Sequence, residues 1–275
     1  MLARVEDWDA AYANAPAIPG GDTWPERWVA EAAAFRDTLG ARAEIGIAYG
    51  DHARERYDLF RPEGAARGLA VFVHGGYWLR FDPSFFSYLA AGPLARSWAV
   101  AMPGYTLAPE ARVGAMVRQV GRAVAHAAAR IEGPIRLAGH SAGGHLATRL
   151  ACADAPALVG AGVAERIRRV VSISGVHDLR PLTRTALNST IRLDAEEARA
   201  QSPALLEPRE GTELVAWVGQ AERAEFVRQS ELLANVWRGL GAATRVHAAP
   251  DRHHFDVIDA LADPSSDLTR ALFDD

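Results

Sequence analysis

The chain has 275 residues, 49% of them hydrophobic, with 30 basic and 34 acidic side chains and a formal net charge of -4 at pH 7. That length admits one large α/β domain or two small ones, and that apolar content admits a sizeable core. The weak negative charge, with both signs interspersed, gives no footprint for nucleic acid or an anionic membrane, and no apolar run approaches the ~20 residues of a membrane span.

In chain order, the first forty residues read as irregular, broken by Pro16, Pro19, Gly20, Gly21 and Pro25, until a helix from about Pro25 to Leu39. Ala43–Tyr49 and Arg56–Phe60 form a strand pair. Leu69–Val73 is a fully buried strand ending at His74-Gly75-Gly76, and Trp98–Met102 is the next strand. Val113 to Ile131 is helical, with Val113, Met116, Val117, Val120 and Val124 on one face. Strands follow at Ile135–Ala138, Arg169–Ser174, Leu214–Val218 and Thr244–His247, with helices at Ala224–Leu240 and Asp263–Leu272. Apolar strands alternating with helices predict a mostly parallel sheet covered on both faces, with a site at the carboxyl ends of its strands. No repeat or low-complexity linker divides residues 1–275, so one domain is expected. Residues 1–39 and 180–210 interrupt the strand–helix rhythm and are the expected covers of the site. The lone Cys152 cannot close an internal disulfide, and residues 1–17 lack the apolar core of a signal peptide. A soluble cytoplasmic protein is expected.

The chemistry concentrates at Gly139-His140-Ser141-Ala142-Gly143, a G-x-S-x-G pentapeptide between a strand and a helix. A sharp turn there exposes the serine hydroxyl at the sheet edge, while the glycines avoid collisions with strand and helix. Alone the pattern is weak, since a glycine-rich turn with an idle surface serine looks the same. Three further features accompany it. His74-Gly75-Gly76-Tyr77-Trp78 follows a buried strand, and its adjacent glycines leave backbone N–H groups for a developing oxyanion; Gly75, Gly76 and Ala142 are the candidate donors. After the last strand, His253 and His254 compete as general base. His254 is preferred because Phe255, Val257 and Ile258 look like the packed start of a helix, leaving His253 in a solvated loop. The acid that holds such a base falls after Leu214–Val218, where Glu222 and Glu225 both qualify; Asp178 reads as a turn or N-cap residue. Ser141, a glutamate and His254 then stand in α/β-hydrolase order. His140 and His145 lie five apart across a turn, and there is no H-E-x-x-H or G-K-[ST], so no metal, nucleotide or other cofactor is expected. The non-enzyme alternative is a binding protein that keeps the fold.

Taken together, the segments His74–Trp78, Gly104–Glu110, Gly139–His145, Ser174–Pro181, Glu225–Ser230 and His254–Asp256 resemble the α/β-hydrolase kynurenine formamidases (arylformamidases), near the hormone-sensitive-lipase-like esterases. The resemblance covers most of the chain beyond its N-terminal segment. It implies an α/β-hydrolase fold and places the acid three residues before Glu225-Phe226, on Glu222, where many relatives carry Asp. It also implies hydrolysis of N-formyl-L-kynurenine to kynurenine and formate, a step of tryptophan breakdown, with a general short-chain carboxylesterase as the alternative. Tyr77 and Trp78, beside the oxyanion loop, are the candidate substrate-binding residues, crowding the acyl side and offering an aromatic wall. Arg80 and Arg184 are weaker candidates for a substrate carboxylate. The expected partner is a small-molecule ester or formamide, with no nucleic acid or membrane; a homodimer is left open.

Overall fold

A strand such as Leu69–Val73 has no polar face to turn toward water, so it needs cover on both sides. The structure, a computed structural model describing residues 4–274, supplies that cover around one sheet of eight strands. These are β1 (Ala43–Ala48), β2 (Arg56–Phe60), β3 (Leu69–Val73), β4 (Ala99–Pro103), β5 (Ile135–His140), β6 (Ile167–Ile173), β7 (Glu213–Gly219) and β8 (Ala243–Ala249). Their order is β1-β2-β4-β3-β5-β6-β7-β8. β1 pairs antiparallel with β2, and β2 with β4; the strands from β4 to β8 are parallel. Chain order reverses around β3, which has β4 on one side and β5 on the other. The loops after β3 and β5 therefore flank the crevice where such sheets bind ligands.

The helices used below are α1 (Trp8–Tyr12), α2 (Trp24–Leu39), α3 (Val113–Ala128), α4 (Ala142–Arg149), α5 (Ala224–Gly239) and α6 (Asp267–Phe273). The period-2 alternation of a strand sorts the core into two layers. Leu69, Val71 and Val73 join Met116 and Val120 of α3, Leu146 of α4 and Phe226 of α5. Ala70 and Phe72 face the other way, toward Trp28 of α2 and Leu268 and Leu272 of α6. Among the described residues no helix is long and apolar enough to cross a membrane.

The structure departs from the expected elements where helices are short. The stretch expected to be irregular contains α1, capped by Asp7, whose carboxylate accepts from the Ala10 amide at 2.9 Å. Two further short helices, Ala155–Val159 and Ala161–Arg166, lie before β6. The last helix begins at Asp267 rather than Asp263, because Ser266 caps it and Asp263 closes a turn onto Ser265. The expected helix after His254 is absent: residues 255–258 form turns, leading into a 3-10 segment at Asp259–Ala262.

Candidate active site

β5 ends at His140, and Ser141 follows with φ 55° and ψ -120°, a conformation that residues with side chains rarely adopt. Both flanks hold it there. The Ser141 amide donates to the Ile173 carbonyl of β6 at 2.8 Å, and the Ser141 carbonyl accepts from the His145 amide at 3.1 Å. Glycine is required beside it, since a Cβ on Gly143 would sit 2.0 Å from the Val73 carbonyl oxygen. A Cβ on Gly75 would fall 3.0 Å from Cβ of Ser141, so the backbone after β3 lies directly against the serine. Ala142 opens α4, where a first-turn N–H has no intrahelical acceptor. The backbone after β3 and the first turn of α4 thus meet at Ser141.

β7 delivers the carboxylate. Glu222 folds back so that Oε1 accepts from the Gly219 amide at 2.8 Å and from the Ser174 hydroxyl at 2.5 Å. Its Oε2 lies 2.6 Å from His254 Nδ1, with the Glu222 side chain 0% and the His254 side chain 4% exposed. A carboxylate at Nδ1 accepts a hydrogen bond from that ring N–H, which keeps the proton on Nδ1 and leaves Nε2 as the basic nitrogen. Two rings fix the imidazole further. His140 Nε2 donates to the His254 carbonyl at 2.8 Å, and Phe226 lies 4.4 Å from the His254 ring. Burial, with His254 nearby, holds the His140 pKa well below the usual imidazole range, so His140 serves as a neutral donor.

The competing acids have other work. Glu225 accepts from the Tyr12 hydroxyl at 2.8 Å and from Arg228 at 2.7 Å, joining α1 to α5. Asp178 pairs with Arg180 at 2.8 Å and accepts that residue's amide. His253 is half-buried rather than solvated. Its Nδ1 accepts the Phe255 and Asp256 amides, and its ring meets Trp24 edge-on at 5.1 Å.

A cavity of about 890 Å³ opens over this group, lined by Ser141, His254, His140, Gly75 and Gly76. Tyr77 lines it with its hydroxyl committed, donating to the Tyr12 carbonyl at 2.5 Å and accepting from Asn14 Nδ2 at 3.2 Å. Trp78 departs from expectation. It is 0% exposed, stands outside the lining and meets His145 edge-on at 5.2 Å, because φ of 59° turns it into the core. The aromatic lining comes instead from Trp28, Phe81, Phe86 and Phe255. Arg80 lines the cavity, whereas Arg184 lies over the Trp8 ring. Residues 9–28 and 186–190 contribute much of the remaining wall.

Several residues here escaped the sequence reading. Ser174 gave a faint signal, standing at the end of the strand beside β7. Tyr12, Asn14 and Trp28 gave none, because their roles depend on contacts with residues far along the chain.

Comparison with known proteins identifies the family. The model of the alpha/beta hydrolase family matches residues 70–274. Kynurenine formamidase of Salmo salar is 28% identical over 84% of this chain and 81% of its own length. That of Danio rerio is 28% identical over 83% and 80%. A solved chain from Silicibacter sp. TM1040, provisionally described as a thioesterase, is 46% identical with a TM-score of 0.92, covering 97% of this chain and 98% of that one. The carboxylesterase EstE1, from a metagenomic library, shares the fold at 19% identity and a TM-score of 0.68, over 91% and 96%. The chain belongs to the alpha/beta hydrolase family, and it is a hydrolase.

Proposed function

We propose that this protein is a serine hydrolase that removes a small acyl group, above all formyl, from an aryl amide, with N-formyl-L-kynurenine as its substrate. The observation that carries this reading is the dry 2.6 Å contact between Glu222 and His254 beside a serine held at φ 55°. In the mechanism, His254 Nε2 takes the Ser141 proton as Oγ attacks the formyl carbon. The amides of Gly75, Gly76 and Ala142 hold the oxyanion, and the imidazolium, stabilised by Glu222, protonates the departing arylamine. Water, deprotonated by His254, then attacks the formyl-enzyme, releasing formate and restoring Ser141.

Substrate chemistry supports the formamide. A formyl carbon bears no alkyl group and is open to attack, and an arylamine with an electron-withdrawing ortho ketone leaves more readily than an alkylamine. Trp28, Phe81 and Phe255 offer ring faces for such a leaving group, Tyr77 narrows the wall, and Arg80 is a cation within reach of the cavity. The relatives named kynurenine formamidase point the same way. Within the expected covers 1–39 and 180–210, of which residues 1–3 lie outside the described residues, 9–28 and 186–190 are read as the part that covers the site of a single domain. A cytoplasmic location belongs to the same proposal, resting on the buried, unpaired Cys152.

A short-chain ester or thioester is the second reading, favoured by the Silicibacter relative. Parallel turnover of N-formyl-L-kynurenine and p-nitrophenyl acetate separates the two. The formamide is expected to turn over in the wild type and to lose at least about a thousandfold in Ser141→Ala. Rapid ester cleavage without formamide cleavage would replace the first reading by the second. Unchanged turnover in Ser141→Ala would sink both.

A further inference from the structure

Asn14 lines the cavity, is 5% exposed, and takes no part in the acid–base chemistry proposed above. Its Nδ2 donates to the Tyr77 hydroxyl oxygen at 3.2 Å, while its Oδ1 is buried without a hydrogen-bond partner. Turning the amide over would not repair this. Tyr77 spends its proton on the Tyr12 carbonyl, so the phenol oxygen presents a lone pair that demands an N–H from Asn14. Tyr12 is itself tied through its hydroxyl to Glu225, which Arg228 and Gln229 hold in turn. The orphan oxygen is therefore fixed in place from behind.

A buried carbonyl oxygen without a donor is costly, and native interiors seldom leave one. At a cavity wall, the missing donor comes from what fills the cavity. We propose that Asn14 determines specificity: its Oδ1 accepts a hydrogen bond from an N–H of the bound molecule, so the site prefers arylamines and aryl amides over matched ligands without that donor. The choice of an aryl nitrogen rests on the hydrolase reading above, in which the leaving group is an arylamine. An ester oxygen in the same place would set lone pair against lone pair.

The test uses the intact protein and two ligands that it cannot hydrolyse, 2-aminoacetophenone and acetophenone, titrated by calorimetry. The wild type is expected to bind the amine about tenfold more tightly, and Asn14→Leu to bring the ratio close to one. Asn14→Gln keeps both an acceptor oxygen and the N–H that the Tyr77 hydroxyl requires and is expected to keep the preference, which decides the matter if the leucine variant fails to fold. Three results overturn the proposal: no preference for the amine in the wild type, including no measurable binding of it; a preference that survives in Asn14→Leu; or a parallel loss of both affinities with their ratio intact. The hydrolase reading fails separately, through turnover that persists in Ser141→Ala, so the two failures are distinguishable.

Discussion

The floor and the roof of the cavity are held by different means. The floor is made of strand ends. Ser141 is pinned between β5, β6 and α4 by backbone hydrogen bonds, and Gly143 and Gly75 fit with no room for a methyl group. The roof is residues 8–28, held by a few side-chain ties: Tyr12 on Glu225, Arg223 on the Ala10 carbonyl at 2.9 Å, Asp9 on the Ala186 amide at 2.7 Å, and Trp28 among the aromatic rings. Proton transfer and oxyanion binding tolerate little displacement, so they need the rigid half. Recognition tolerates more, and here it is assigned to the half whose ties are few.

Two glutamates three positions apart break the comparison most sharply, because one serves each half. Glu222→Gln is expected to lower kcat by about a thousandfold or more, since the imidazolium loses its counter-charge and the imidazole its enforced tautomer. Glu225→Gln is expected to lower stability by about 1–3 kcal/mol, through its buried ties to Arg228 and Tyr12, and to affect KM before kcat. Steady-state kinetics with urea unfolding reads both, and the opposite pattern would exchange their roles. Next, Gly143→Ala is expected to cost more than about 4 kcal/mol, because the Cβ meets backbone rather than a movable side chain. An equally stable variant would show that the floor can shift.

Acid should also act on the floor. Burial pushes His74 down to about 4, and His145 and His177 down to about 3, so all three are neutral when folded. Unfolded, they take up protons near pH 6.5, so the unfolded state binds more protons below that pH. Their contribution is complete above pH 6.5 and falls as the pH drops toward 4, by about 1.4 kcal/mol per pH unit for each histidine. Asp58 and Asp259, raised by burial, oppose the trend. Unfolding free energies at pH 7 and pH 5 check the sign; a flat profile would contradict it. The smallest effect is expected in the roof. Tyr12→Phe should lose about 1 kcal/mol and speed proteolytic cleavage within residues 13–25, with the floor's histidines undisturbed.

The same division explains what could be read from the sequence. Every strand was legible, the central ones because a run such as Val170-Val171-Ser172-Ile173 must be buried on both faces wherever it lies. The floor was legible because its chemistry is local: Ser141 sits in its own pentapeptide, and Gly75 and Gly76 directly follow β3. Glu222 was harder. Within one loop, either it or Glu225 could face a histidine, and the resemblance favoured Glu222; the contact with His254 is now visible. Trp78 was misread because proximity to Gly76 in sequence says nothing about which way a left-handed turn sends a side chain. The roof was illegible for a different reason. Tyr12 and Asn14 lie in or beside a helix too short to show periodicity, and their partners stand far along the chain. Length hid the contacts, since no local pattern encodes a bond across 213 positions.

That separation has a consequence during synthesis. Tyr12 leaves the ribosome 213 positions ahead of Glu225, the carboxylate it must reach. At about 5–20 residues per second, the roof waits some 10–40 s with its aromatic side chains uncovered, and His254 and Phe255 arrive later still. The site therefore assembles only after Glu225, His254 and Phe255 have all emerged and can meet the segment made long before them.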